Sequence, residues 1–474
     1  MDGPPIAPEL LDSFTPEVRK VFQALIDYYE ERMARYERRI ADLEAEIDRL
    51  NKNPRNSSLP PSSEHPHAKP APEKPKSKRR RGGQKGHPKH DRPLVPVSQC
   101  QTVVEVVPRT CRRCGGRLAG RDATPLRHQV WEVPEIKPEV SEYQLHRVRC
   151  GCGAVTCGAL PPGAPVGQAG PRLVAFAALL MGCFRQSKRR VALFMGTVLN
   201  QPCSPGWVVK LQNQATAALR PAFEDLKARL PAEPHLSIDE TPTKEAARKA
   251  WLWTAVAGAF TFFVVRPTRE ATALADMLGD AFKGTVNCDR AKMYHSLPRV
   301  QWCWAHLVRD FQSLIDSHDG VMKRLGHDLM RPTKEMFELL ARRRDGTLTR
   351  EAWKAEMAPI RERIDALLLR GAFARIGIAK ELWAHRERLW TFVDVEGVEP
   401  TNPPRWTSER ALRHAVIWRK LSFGTQSAAG SRFVETLLTV VETCRRQSRS
   451  AFAFITAAVQ ARLARHAPLT FAAV

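Results

Sequence analysis

The sequence predicts a multidomain α+β protein, and three observations carry that prediction. A long charged helix with an apolar seam opens the chain, paired cysteines follow in an alternating stretch, and a strand-rich block with acids at strand ends runs into a long helical block. With 474 residues, the chain is long enough for about three or four domains. The expected units are a coiled-coil zipper helix over 1–53, a flexible linker over 54–99, a cysteine module over 100–160 and a helical region over 161–232. A strand-rich part over 233–309, a helical block over 310–400, a further helical region over 401–450 and a helical tail over 451–474 complete it.

In the first unit, Phe22, Ile26, Tyr29, Met33, Tyr36, Ile40, Leu43, Ile47 and Leu50 fall at steps alternating four and three. That is the a/d seam of a coiled coil, which predicts self-association. A single amphipathic helix lying on the rest of the protein is the alternative. The linker is rich in Pro, Ser, Lys and Arg and nearly free of large apolar residues, so it cannot bury a core.

Charge is the strongest global signal: 74 Lys and Arg against 50 Asp and Glu, a net of +24. Such an excess favours a polyanion, nucleic acid first and an acidic membrane surface second. The charge is clustered, with Asp91 the single acid between Lys74 and Arg92. Lys78, Arg79, Arg80, Arg81 and Lys85, set among glycines, form a basic arm suited to tracking DNA phosphates. No apolar run approaches the ~20 residues of a membrane span, and the N-terminus lacks the basic start and apolar core of a signal peptide.

The 11 cysteines, in a chain expected to be cytoplasmic, read as free thiols and metal ligands before disulfides. Cys111 with Cys114 in "CRRCGG", and Cys150 with Cys152 in "CGCG", are two close pairs on glycine turns. The stretch between them, "HQVWEVPEIKPEVSEYQLHRVR", reads as two strands broken at prolines. Converging pairs of this kind make a tetrahedral thiolate site for structural zinc, with Cys157 able to replace either member of the second pair. Further on, "RQSKRRVALFMGTVLNQPCSPGWVVKLQNQ" reads as a basic helix, a turn and an amphipathic helix. It is helix-turn-helix-like, with a structural helical hairpin as the alternative.

The strand-rich part begins with Leu236–Asp239, continues as a hairpin around Gly258 and a helix in "REATALADMLGDAF", and reaches a strand ending in Asp289. A fifth strand, "RVQWCWAH", is expected to end at His306. Water-driven cleavage of a phosphodiester needs hard divalent ions held by two or three acids on neighbouring rigid strands. Asp239 and Asp289 supply two of them if their strands are adjacent, with a third acid coming from a later helix. Glu240 reads as a surface or capping acid, because alternate strand residues face opposite ways. His306 is a supporting group near the acids or, alternatively, a structural histidine.

In order along the chain come the zipper, "NSSLPPSSE", "RRRGGQKGH", the two cysteine pairs, "GPRLVAFAALL", "SIDETP", "NCDRAKMY", "CWAHLVRDF", "SERALRHAVIWRKLSFGTQSAAG" and "LLTVVETCRR". This succession resembles transposases of the insertion sequence 66 family over nearly the whole length. The resemblance implies a ribonuclease-H-like α/β catalytic core with an Asp-Asp-Glu triad, interrupted by the helical block 310–400 as an insertion and resumed over 401–450. It carries the triad onto Asp239, Asp289 and Glu409, and selects Glu409 over Glu396, Glu435 and Glu442. The implied cofactors are two Mg2+ ions on the triad beside the structural Zn2+. The implied activity is metal-dependent DNA strand cleavage and transfer, with a DNA-binding regulator or a nuclease of the same fold as the alternative. Arg410 and Arg413, beside Glu409, are expected to neutralise DNA phosphates. The expected partners are double-stranded DNA at element ends and target, a second copy through the zipper, and small companion proteins of the element, in the bacterial cytoplasm at the nucleoid.

Overall fold

In the computed structural model, which describes residues 13–53, 56–57, 92–401 and 408–471, the first helix begins where the sequence provides a cap. Of Ala41, Ala45, Asp48, Ser408, Glu409 and Arg410 only the backbone is described. The basic arm with Lys78, Arg79, Arg80, Arg81 and Lys85 lies outside the described residues. The Thr15 hydroxyl accepts from the Val18 N–H, Pro16 takes the first helical position, and α1 (Pro16–Leu50) runs for 35 residues. Tyr29, Met33, Tyr36, Ile40, Leu43, Ile47 and Leu50 all stand exposed along it.

The alternating stretch after the linker does not pair as two strands. It takes up no regular structure over most of its length, and only its last residues join a small antiparallel hairpin, β1 (Arg147–Arg149) with β2 (Val155–Cys157). Val130, Trp131, Val133, Ile136 and Val140 are exposed. Pro134 and Pro138 have no N–H for a ladder, and without a packed face alternation alone does not make a sheet.

Three helices follow: α2 (Pro171–Gly182), α3 (Lys188–Val198) and α4 (Pro205–Arg229). The turn between α3 and α4 ends on Ser204, whose hydroxyl caps the Trp207 N–H, with Pro205 next. The second helix of this pair is a core element. Val208, Leu211, Ala215, Leu219, Phe223 and Leu226 recur at helical spacing and are all buried.

The centre is a five-stranded sheet built from β3 (His235–Glu245), β4 (Arg248–Val256), β5 (Thr261–Arg266), β6 (Thr285–Cys288) and β7 (Val300–Trp302), in the order β5-β4-β3-β6-β7. The β5-β4-β3 half is antiparallel, and the β3-β6-β7 half is parallel. The short helix α5 (Ala271–Leu278) makes the crossover from β5 to β6. Two expectations are corrected here. The first strand does not end at Asp239 but runs on to Glu245, because the β-branched "TPT" continues the antiparallel ladder with β4 after β6 has ended. The fifth strand ends at Trp302, and His306 sits in the first turn of α6 (Trp304–Ile315).

Beyond α6 lie α7 (Gly320–Arg344), α8 (Arg350–Phe373), α9 (Gly377–Ala384) and α10 (Glu387–Asp394), then α11 (Ser408–Ser422), α12 (Ala428–Arg446) and α13 (Ala451–Leu463). Large aromatics tie α6 to the helical block, with the Trp304 ring 5.2 Å from Trp390, and within the block the Trp353 ring lies 5.9 Å from Phe392. α11 packs on β3 and β4.

Both edges of the sheet are hydrogen-bonded to helices. On β5, the N–H groups of Thr261, Phe263 and Val265 donate to Thr443 Oγ1 (3.2 Å), Thr439 Oγ1 (3.0 Å) and Glu435 Oε2 (3.0 Å) of α12. Four helical residues rise about 6 Å and two strand residues about 6.6 Å, so the two rows stay in step. On β7, the Thr391 hydroxyl of α10 donates to the Val300 carbonyl at 2.8 Å, and the Gln301 side chain accepts from the Phe392 N–H at 2.7 Å. A sheet edge closed in this way offers no template to another strand. α2 approaches α12 so closely at Gly182 that an added Cβ would lie 2.1 Å from Leu437 Cδ2.

Candidate active site

The site is built where the antiparallel and parallel halves of the sheet meet. β3 and β6 are adjacent and parallel, with Ser237 opposite Asn287. Continuing that register brings Asp239 level with Asp289, on strands about 4.8 Å apart. The adjacency that the two acids need is therefore met. Asp239 keeps part of its surface open, yet its carboxyl is closely surrounded. Burial pushes its pKa well above the usual range, the charges of Glu240 and Asp289 push further, and His306 opposes them. Asp239 Oδ1 accepts the Glu240 N–H at 2.9 Å, and Asp289 Oδ1 accepts the Ala291 N–H at 2.9 Å.

Glu240 is neither a surface acid nor a cap. It does face away from Asp239, as strand alternation requires, but that face is interior. Its side chain is 2% exposed, Arg269 Nε and Nη2 both approach Oε1 at 2.5 Å, and the Tyr294 hydroxyl donates to Oε2 at 2.5 Å. Arg269 reaches on to Asp289 Oδ2 at 3.7 Å and lies 5.2 Å over the Trp251 ring. Burial and then Asp289 raise the Glu240 carboxyl, while Arg269 and Tyr294 restrain the rise. Sequence reasoning missed Arg269 and Tyr294, because neither stands at a spacing that ties it to Asp239.

Arg290, next to Asp289, points into the helical block, with Nε 2.9 Å from Asp310 Oδ2 and Nη1 2.6 Å from Glu381 Oε2. It fastens the end of β6 to α6 and α9. For His306, burial works against the charged ring. A hydrogen bond with Cys303, and the charges of Cys303, Asp289 and Asp239, outweigh it and hold its pKa up to about 9.

Of the later acids, Glu435 is fully buried, with Arg432 Nε at 2.5 Å, Arg220 Nη1 at 3.1 Å and the Val265 N–H at 3.0 Å. Glu442 pairs with Arg445 at 2.5 Å and with His414 at 3.6 Å. Glu396 is exposed, 4.0 Å from Arg350. The side chains of Glu409 and Arg410 lie outside the described residues, although their backbone opens α11 against β3 and β4. Arg413 is exposed on the same helix.

Each cysteine pair closes a tight turn. The Gly115 N–H donates to the Cys111 carbonyl at 2.9 Å and the Gly153 N–H to the Cys150 carbonyl at 2.9 Å, with both glycines left-handed. The Cys111 thiol is held below its usual range by the N–H groups of Cys114 and Arg113 and then by the Cys114 thiol; the Cys150 thiol is held down by the N–H and thiol of Cys152. Among the described residues, no three His, Cys, Asp or Glu side chains are placed together to hold a metal ion, and no helix is long and apolar enough to cross a membrane.

A family described as "Transposase IS66 family" matches residues 166–432, more than half of the chain. A family of unknown function, DUF6444, matches residues 6–93. No curated protein matches. The first match spans the sheet, both strand acids, the helical block and the start of α12, and on that span the chain belongs to the IS66 family of transposases.

Proposed function

We propose that the chain is a DNA transposase that binds insertion-sequence ends and catalyses metal-dependent strand cleavage and strand transfer through Asp239, Asp289 and Glu409. The observation that carries this reading is the parallel register of β3 and β6, Ser237 opposite Asn287, which supports Asp239 and Asp289 lying level two residues further on. The sheet order, three antiparallel strands joined to two parallel ones, supports a ribonuclease-H-like core interrupted by the helical block. Glu396, Glu435 and Glu442 have other engagements or open solvent, which favours Glu409 as the third acid.

Hard carboxylate oxygens whose negative charges crowd one another fit Mg2+. Asp239, Asp289 and Glu409 would hold it, and Mg2+ when bound supplies Lewis acidity toward the attacking and leaving oxygens. The protein's own part is positioning. The Ala291 N–H and Arg269 hold the two oxygens of Asp289 apart in direction, and His306 brings positive charge to the acids. Cys111 with Cys114, and Cys150 with Cys152, each offer half of a thiolate site for structural Zn2+ on a tight glycine turn, and the two pairs would have to come together to complete it. The basic arm, Arg410 and Arg413 would contact phosphates. The exposed seam of α1 would pair two copies, so that two ends are cut together, and small companion proteins of the element would assist.

The test uses full-length protein and duplexes from the two genomic edges of the encoding element. Asp239→Ala abolishes cleavage and leaves end binding intact. Undiminished cleavage by that variant removes the triad assignment. Binding without cleavage by the wild type, in Mg2+ or Mn2+, favours a regulator instead.

A further inference from the structure

An exposed aromatic ring stands on a locked, left-handed segment at the far end of β3. The β3–β4 hairpin turns on Ala246 and Ala247, both left-handed at φ 47° and 66°. Turns of this kind ordinarily use Asn and Gly, since a Cβ strains that conformation. After α11 the chain returns to the same hairpin. Phe423 is left-handed too, at φ 58°, and its side chain is 82% exposed. Gly424 follows at φ 98°, where an added Cβ would lie 2.4 Å from the Lys244 carbonyl oxygen. The Thr425 N–H donates to the Lys244 carbonyl at 2.8 Å, and the Ala246 N–H donates to the Thr425 carbonyl at 2.9 Å. Phe423 is thus carried on a segment bolted to the hairpin, and its ring nevertheless points into solvent.

Packing does not explain that placement, because a Phe ring's usual gain comes from burial. The surroundings indicate a partner. Lys244, Arg248 and Lys249 are exposed on the tip, and Lys420 is exposed near the end of α11. An aromatic face with a basic rim suits phosphates and stacked bases together.

We propose that Phe423 and the β3–β4 tip form a DNA contact, in which the ring stacks on a base, or wedges at a base step, while Lys244, Arg248 and Lys249 hold the adjoining phosphates. The tip lies about six residues beyond Asp239 along β3, or roughly 20 Å. DNA lying along that strand would meet the ring about six base pairs from the bond held at the acids. The proposal rests on the transposase reading and extends it.

The probe is an edge duplex carrying a single 2-aminopurine, moved one position at a time through the terminal helical turn. Wild-type protein changes the fluorescence at one or two adjacent positions. Phe423→Ala loses that change and binds about tenfold more weakly or worse, while Phe423→Trp keeps both. Both variants melt with the wild type, as the ring is exposed. If Phe423→Ala matches the wild type in fluorescence and affinity, the contact is refuted and the transposase reading stands. A loss of affinity with no fluorescence response at any position refutes the stacking. Failure of the wild type to prefer edge duplexes over random ones takes down both.

Discussion

Glu435 and Asp239 are both acids drawn into the body of the protein, and they are treated in opposite ways. Glu435, on α12, is surrounded by opposite charge and donors: Arg432, Arg220 and the Val265 N–H. Asp239, on β3, has Asp289 level with it and Glu240 next to it along the strand, two charges of its own sign, with His306 as counterweight. The first acid closes a sheet edge. The second sits among like charges that push its pKa up, the arrangement the proposed metal site would use. Burial alone therefore does not separate these two acids; the sign of their neighbours does.

The sharpest way to break this contrast is to neutralise each acid. Asp239→Asn should lower end cleavage by about a thousandfold or more, and in metal-free protein it should raise the melting temperature, since it removes a repelled charge. A stabilising effect without loss of cleavage would refute the catalytic half of the comparison. Glu435→Ala should act in reverse. Two guanidinium groups lose their carboxylate and a strand N–H loses its acceptor, a loss of about 3 kcal/mol or more, read by urea unfolding. Thr439→Val, which takes the acceptor from the Phe263 N–H, should cost about 1–2 kcal/mol by the same measurement.

The smallest effect is in pH. The His306 pKa is raised from 6.5 to about 9 in the folded protein. Its contribution to stability is therefore full below 6.5 and is lost as pH rises through about 9. Asp239, raised above its ordinary value, acts in the same direction beginning lower on the scale. Melting temperatures of metal-free wild type should fall between pH 6.5 and 9, and His306→Gln should flatten that fall.

Much of the fold was legible because its signals are local. The long first helix, the helical pair joined at Ser204 and Pro205, the hairpin around Gly258 and the strand before Asp289 all follow from periodicity, caps and turns. The misreadings have one cause, which is that strands depend on partners. The stretch from His128 to Arg149 alternates but finds no partner over most of its length, whereas β3 runs past Asp239 because β4 accompanies it. Glu240 was misjudged for the same reason: alternation told which way it faces, not that Arg269 and Tyr294 wait on that face.

The sequence by itself determined the succession of helical and strand-rich blocks, the cysteine pairs on glycine turns, and Asp289 as an acid at a strand end. Only the tertiary structure decided that β3 and β6 are neighbours in register, that Glu240 belongs to a buried ion pair, and that Phe423 stands outward on a locked loop. The physical reason is range. Caps, turns and periodicity act over a few residues, while strand adjacency and charge neighbourhood join residues that the chain keeps far apart.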